Sequence, residues 1–422
     1  MSANVAREAR WVVAGQCAVV LGGLALVRVL TEYLTPSQYG ELALALTLAG
    51  LVNQSVTGGL AAGIARYYAV AAEAGDVRGY LRDARRLMGL ATAVVGALLM
   101  LSAAWLIGSG RGSAIGLAVM VAIFAVVSGL GSAVSGIQNA ARQRALCALH
   151  SGGEAWLRIA VVVLLLQALG VSTVVVVLGY VLSMLVATAS QVFFVRRLGA
   201  DAAGRVGECS WTGRIWAYSW PFSIFGLFTW LHQASDRWAL QSFGSADQVG
   251  LYAVLFQLGY APMGVAVGVA MNLLAPIFYQ TAGQATDSDR NTQVHRMAWR
   301  SVAGCLGLTG VAVGVALLLH RPVFALLVAE EFRVLSYLLP WMLLAGGLFA
   351  AGQMLALKLM ADLSTAAMTR AKVGTALLGV ALNIVLARVM GVEGVVIAQV
   401  GFGLVYLVWM AALARHPKRG VE

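Results

Sequence analysis

Apolar runs of eighteen or more residues recur along the whole 422-residue chain, and no other feature restricts the fold so tightly. A helix of about 20 residues, rising 1.5 Å per residue, crosses a hydrocarbon core roughly 30 Å thick. The composition agrees: 60% of residues are hydrophobic and only 11% are charged, so lipid is the solvent for most of the chain. The short alternating segments of a membrane β-barrel are absent. The expected class is therefore an all-α integral membrane protein.

Charged, glycine and proline punctuation divides the runs into about twelve transmembrane helices: 9–31, 38–65, 84–108, 113–139, 146–169, 172–195, 214–240, 247–278, 298–320, 334–358, 365–388 and 391–413. The first run follows Arg7 and Arg10, but it exceeds the apolar core of a secretory signal and carries Arg28, so it reads as a mature helix. The net charge of +11 has a topological origin rather than a nucleic-acid one, because no basic patch is interleaved with aromatics. With the N-terminus in the cytoplasm, five basic residues (Arg111, Arg237, Arg321, Arg333, Arg388) fall on the far side and two (Arg28, Arg158) within helices. The other 22 of 29 lie inside. Both termini are thus expected in the cytoplasm, with the protein multi-pass in the cytoplasmic membrane.

The loops are too short to fold as a soluble catalytic domain, and the charged stretch Glu73–Arg86 reads either as an amphipathic surface segment or as a plain connector. Cys17, Cys147, Cys209 and Cys305 are scattered without metal or redox spacing. No GxxxxGK[ST] loop is present. No catalytic residue, metal or cofactor is expected.

The chain repeats itself weakly. RVLTEYLTPSQYG from Arg28 is echoed by RWALQSFGSADQVGLY from Arg237, an offset of about 209, and Gly170 matches Gly391 at about 221. These offsets predict two pseudo-symmetric six-helix lobes, residues 1–200 and 214–422, joined by a cytoplasmic linker at 201–213. Six is even, so the repeats are parallel, an arrangement common in transporters.

Ionisable residues inside membrane helices are costly, at roughly 2.5–3.5 kcal/mol near the centre, and they normally face a wet cavity or a partner. Arg158 lies about 18 Å into the fifth helix, one turn after Glu154, so the two can form an ion pair that both braces the helix and offers an anion site. In the seventh helix Thr229, His232 and Asp236 share a face with Gln233 beside it. His232, Asp236 and Glu154 are the candidates for coupling to an ion gradient, although Asp236 also fits a role neutralising a nearby arginine. Arg28 and Arg237 occupy matching places in the repeats. They either face the seam between halves as a phosphate-binding patch or snorkel to the interface. Asn53, Gln54 and Thr57, with Gln257, are polar residues suited to the same cavity or to interhelical bonding.

The run RVLTEYLTPSQYGELALALTLAGLVNQSVTGGLAAGIARYYA resembles the opening of polysaccharide flippases of the Wzx type. DRWALQSFGSADQVGLYAVLFQLGYAP resembles their seventh and eighth helices, and KLMADLSTAAMTRAKVGTALLGVALNIVLARVMGVEGVVIAQ their tenth to twelfth. That family belongs to the multidrug/oligosaccharidyl-lipid/polysaccharide exporter superfamily. The resemblance implies a two-lobed transporter that flips a polyprenyl-pyrophosphate-linked oligosaccharide between leaflets of the bilayer for lipopolysaccharide, capsule or exopolysaccharide synthesis, beside other polysaccharide-assembly proteins. It places a cationic cavity on Arg28, Arg66, Arg158 and Arg237, with Lys358 at its inner mouth. Two departures stand out: Arg158 is paired with Glu154, while Arg66 and Lys358 sit near the cytoplasmic end. A cation-coupled multidrug exporter of the same superfamily is the first alternative reading, and a membrane polysaccharide polymerase or ligase the second.

Overall fold

In lipid every backbone N–H and C=O must be bonded within the protein, which a helix does by itself. The computed structural model follows that rule. It describes residues 3–110, 112–200, 210–283, 287–362 and 364–415, and over these the chain is all-α. The helices are α1 (Ala3–Tyr33), α2 (Pro36–Val52), α3 (Gly58–Glu73), α4 (Val77–Gly108), α5 (Ile115–Ala140), α6 (Arg144–Leu169) and α7 (Thr173–Ala200). They continue with α8 (Trp211–Phe243), α9 (Ala246–Ala282), α10 (Ser288–Leu327), α11 (Leu339–Ala361) and α12 (Thr365–Leu413). A π turn, Asn53–Thr57, joins α2 to α3 into one long rod, and a 3₁₀ segment, Glu330–Leu338, leads into α11.

Among the described residues ten helices are long and apolar enough to cross a membrane. α8 is not one of them, since its polar residues lower its hydropathy. α12 breaks at Gly391, whose φ of +59° and ψ of −130° only glycine tolerates, so it supplies two arms, 365–390 and 392–413. Twelve crossings are consistent with this set. Gly170, the partner of Gly391 in the sequence repeat, also has a positive φ, +89°, and it ends α6.

Two expectations change. The segment 279–297 is mostly helix rather than loop, because α9 runs to Ala282 and α10 starts at Ser288 under the Asp287 side chain, which accepts from the N–H groups of Asp289 and Arg290. The stretch Glu73–Arg86 is not a separate surface helix: α3 ends at Glu73, and Asp76 caps α4 by accepting from Gly79 N–H. Much of the charged stretch is therefore the first turns of a spanning helix.

The chain forms two compact units, Met1–Gly23 with Glu41–Trp230, and Leu24–Gly40 with Leu231–Glu422. The boundaries fall inside α1, inside α2 and inside α8. Of the expected linker, 201–209 lies outside the described residues; Ser210 to Gly213 belong to the first unit. Each unit is inside-out relative to a soluble domain. Leu318, Met100 and Trp105 are exposed where lipid would meet them, and small residues make the helix contacts. In the first unit Gly15 and Gly22 of α1 rest on Ala148 and Ala155 of α6. In the second, Gly259 meets Met342, and Gly352 meets the Tyr406 ring. Without a hydrophobic force between helices, such close approach supplies the attraction.

Candidate functional site

In the first unit the i, i+4 spacing on α6 brings Arg158 onto Glu154 as a two-pronged pair. Arg158 Nη2 donates to both carboxylate oxygens at 2.7 Å, and Nε donates to Oε1 at 2.9 Å. Ser183 Oγ of α7 donates to the same carboxylate at 3.3 Å, and the guanidinium lies 4.8 Å from the Tyr180 ring centroid. The side chains are 25% and 10% exposed, so the pair is mostly withdrawn from its surroundings, with the arginine the more accessible of the two. An arginine and a carboxylate that enter the membrane together carry no net charge, which is how both are tolerated.

The π turn of the same unit carries Asn53, Gln54 and Thr57 together. Asn53 Nδ2 donates to Ser128 Oγ of α5 at 2.7 Å, and Thr57 Oγ1 donates to Asn53 Oδ1 at 3.1 Å. Thr57 is buried against Gly129. Asn53 and Thr57 thus brace α5, and Gln54 is half-buried. Such a widened turn is frequent at functional sites. Arg66 is exposed on α3, two turns beyond.

In the second unit Asp236 is 1% exposed and gathers three donors. Oδ1 accepts the Arg237 N–H at 2.6 Å, and Oδ2 accepts Tyr252 OH at 2.7 Å and Gln399 Nε2 at 3.3 Å. A carboxylate is acceptor-only, so this shell suits it well. Beside it Asn383 Nδ2 donates to Ser235 Oγ at 2.8 Å. His232, one turn earlier, lies 3.8 Å from the Phe402 ring, centroid to centroid, with its Nδ1 buried and without a partner among the described residues. A run of aromatic contacts, Tyr252, Phe256, Tyr260, Phe349, Phe402 and Tyr406, links the ring bonded to Asp236 with the ring packed on His232.

The remaining candidates are placed as follows. Arg237 is half-buried, its guanidinium 4.8 Å from the Phe256 ring centroid. Arg28, in the same unit, pairs with Glu32 on its own helix. Gln257 Oε1 accepts from Tyr39 OH at 2.9 Å. Lys358 is 1% exposed and donates to Asp362 at 2.6 Å, so it lies inside the packing of the second unit rather than at an open mouth. The five cations do not share one unit: Arg66 and Arg158 belong to the first, Arg28, Arg237 and Lys358 to the second. Tyr180, Ser183, Tyr252 and Ser235 are participants that sequence reading did not select. Hydroxyls at membrane depth were the available signal.

Residues 5–282 match the family model described as "Polysaccharide biosynthesis protein". The chain belongs to that family. No curated protein sequence matches it. Among solved structures, an inward-facing multidrug resistance MATE family transporter of the MOP superfamily is 14% identical, with 95% of this chain and 94% of that one covered at a TM-score of 0.75. The lipid II flippase MurJ in an inward closed conformation is 10% identical, with 96% and 87% covered at 0.71. A Vibrio cholerae MATE transporter, VcmN in a point-mutant form, is 16% identical, with 97% and 96% covered at 0.55. At these identities the likeness establishes the fold: a multi-pass membrane protein built as the transporters of that superfamily are built.

Proposed function

We propose that the protein is a flippase that carries a polyprenyl-pyrophosphate-linked oligosaccharide across the cytoplasmic membrane for polysaccharide synthesis. The observation that carries this reading is a set of arginines held within the long helices α1, α6 and α8, in a chain of a polysaccharide biosynthesis family. A guanidinium fork is matched to phosphate oxygens, and low dielectric strengthens the contact. Arg158 stays a quarter exposed although Glu154 balances its charge, and Arg28 and Arg237 are half-buried. Arg66 is the fourth member of the proposed set. Lys358, closed onto Asp362, is assigned to packing. The polar groups of the substrate pass along these side chains while the polyprenyl tail stays in the bilayer, and no bond is made or broken. Asp236 and His232, with Glu154 as the counterpart in the first unit, are the groups through which a cation gradient drives the cycle.

The test is translocation in liposomes. A fluorescent polyprenyl-pyrophosphate oligosaccharide on one leaflet is followed by protection from an impermeant quencher, with and without a cation gradient. Arg28→Gln/Arg237→Gln is expected to stay folded and to lose translocation. Full activity in that double variant would remove the arginine site. The MATE-like fold keeps one alternative in view, a cation-coupled drug exporter; drug efflux without movement of any lipid-linked sugar would establish it.

A further inference from the structure

A groove of about 680 Å³ lies in the first unit along α4, walled by α5 and α7, and neither the arginine set nor the coupling carboxylates use it. Its α4 wall is one helix face: Arg78, Leu81, Arg85, Met88 and Thr92 at spacings of three and four. Arg196, near the end of α7, joins Arg78 and Arg85 at one end, and all three are exposed. The rest of the lining is almost wholly apolar, and among the described residues no acidic side chain takes part. Two carboxylates at this end of α4 bond Trp211 of α8: Asp83 Oδ2 accepts the Trp211 N–H at 2.8 Å, and Asp76 Oδ2 accepts Trp211 Nε1 at 2.8 Å. From Leu81 to Thr92 the helix advances about 16 Å, the hydrocarbon depth of one leaflet.

We propose that this groove is a binding site for an anionic phospholipid, with its phosphate on Arg78, Arg85 and Arg196 and an acyl chain lying along α4. The loop-charge orientation puts the basic end at the cytoplasmic face, so the lipid comes from the inner leaflet. Three physical features select that occupant. Basic pockets between helices at this face suit acidic headgroups. An apolar trench continuous with the charged end accepts a chain that a soluble phosphate does not have. Gly89 opens the trench further, for a Cβ there would meet no atom within 4 Å.

The experiment is native mass spectrometry of the full chain, released from nanodiscs of phosphatidylcholine doped with phosphatidylglycerol or cardiolipin. The expected result is retention of the anionic lipid in preference to phosphatidylcholine. Arg85→Gln should weaken retention roughly fivefold, and Arg78→Gln/Arg85→Gln/Arg196→Gln on the order of a hundredfold, at about one surface arginine's attraction each. Gly89→Trp leaves every charge in place and fills the trench, so it should lose the lipid as well; because it adds bulk in open space, it covers the case where the triple variant fails to fold. Equal retention of phosphatidylcholine, or anionic selectivity that survives both changes, would overturn the proposal. So would displacement of phospholipid by polyprenyl phosphate, which would make the groove a substrate tail site.

Discussion

A methyl group added at Gly40 meets backbone rather than a movable side chain. Gly40 of α2 and Gly250 of α9 face each other within the second unit. A Cβ on Gly40 would run into the Ala246 carbonyl oxygen and stand 3.0 Å from Gly250 N, and one on Gly250 would run into the Pro36 carbonyl oxygen and stand 2.9 Å from Gly40 N. In each case the replaced hydrogen points at a carbonyl, the geometry of a Cα–H···O contact worth about 0.5–1 kcal/mol. To admit the methyl, α2 and α9 must part by roughly 1 Å along their crossing, which also loosens neighbouring packing. Overpacking of this kind costs about 1–3 kcal/mol. Gly40→Ala and Gly250→Ala are each expected to lower the Tm in detergent, scanned at one fixed rate, by roughly 4–8 °C. The double variant should fall short of the sum, since the first methyl has already parted the helices. An unchanged Tm in either single variant, or strict additivity in the double, would refute the crossing.

Three further outcomes follow from the same geometry. Glu154→Ala strands Arg158 without its counter-charge and should destabilise the protein by on the order of 3 kcal/mol, read as lost folded yield on size exclusion, whereas Glu154→Ala/Arg158→Ala recovers it. Asp83→Ala removes the acceptor for the Trp211 and Thr212 N–H groups and should cost about 1 kcal/mol locally, seen as faster hydrogen exchange at the start of α8 with exchange in α11 unchanged. Gly391→Ala forces a side chain into a glycine-only conformation, and about 1–3 kcal/mol of strain should appear as a lower Tm.

Helix and hydropathy are local properties, so the all-α membrane class, the long apolar helices and the Gly170/Gly391 correspondence were all legible in the sequence. The Glu154–Arg158 pair was equally legible, since i, i+4 neighbours on one helix must meet. Lys358 and Asp362 have the same spacing, yet their burial depends on what packs over them, and the family resemblance implied an open mouth instead. Tertiary structure alone decided the rest. Tyr252 and Gln399 reach Asp236 from 16 and 163 residues away, and no periodicity encodes such a meeting. The groove needs Arg78 and Arg85 from α4 and Arg196 from α7, which in sequence are ordinary topological charges. The boundaries of the two units fall within continuous helices, at Gly23, Gly40 and Trp230, where composition gives no sign. Lipid is as apolar as the side chains it touches, so hydropathy reports that a residue is in the membrane and leaves its neighbours to close packing and hydrogen bonds.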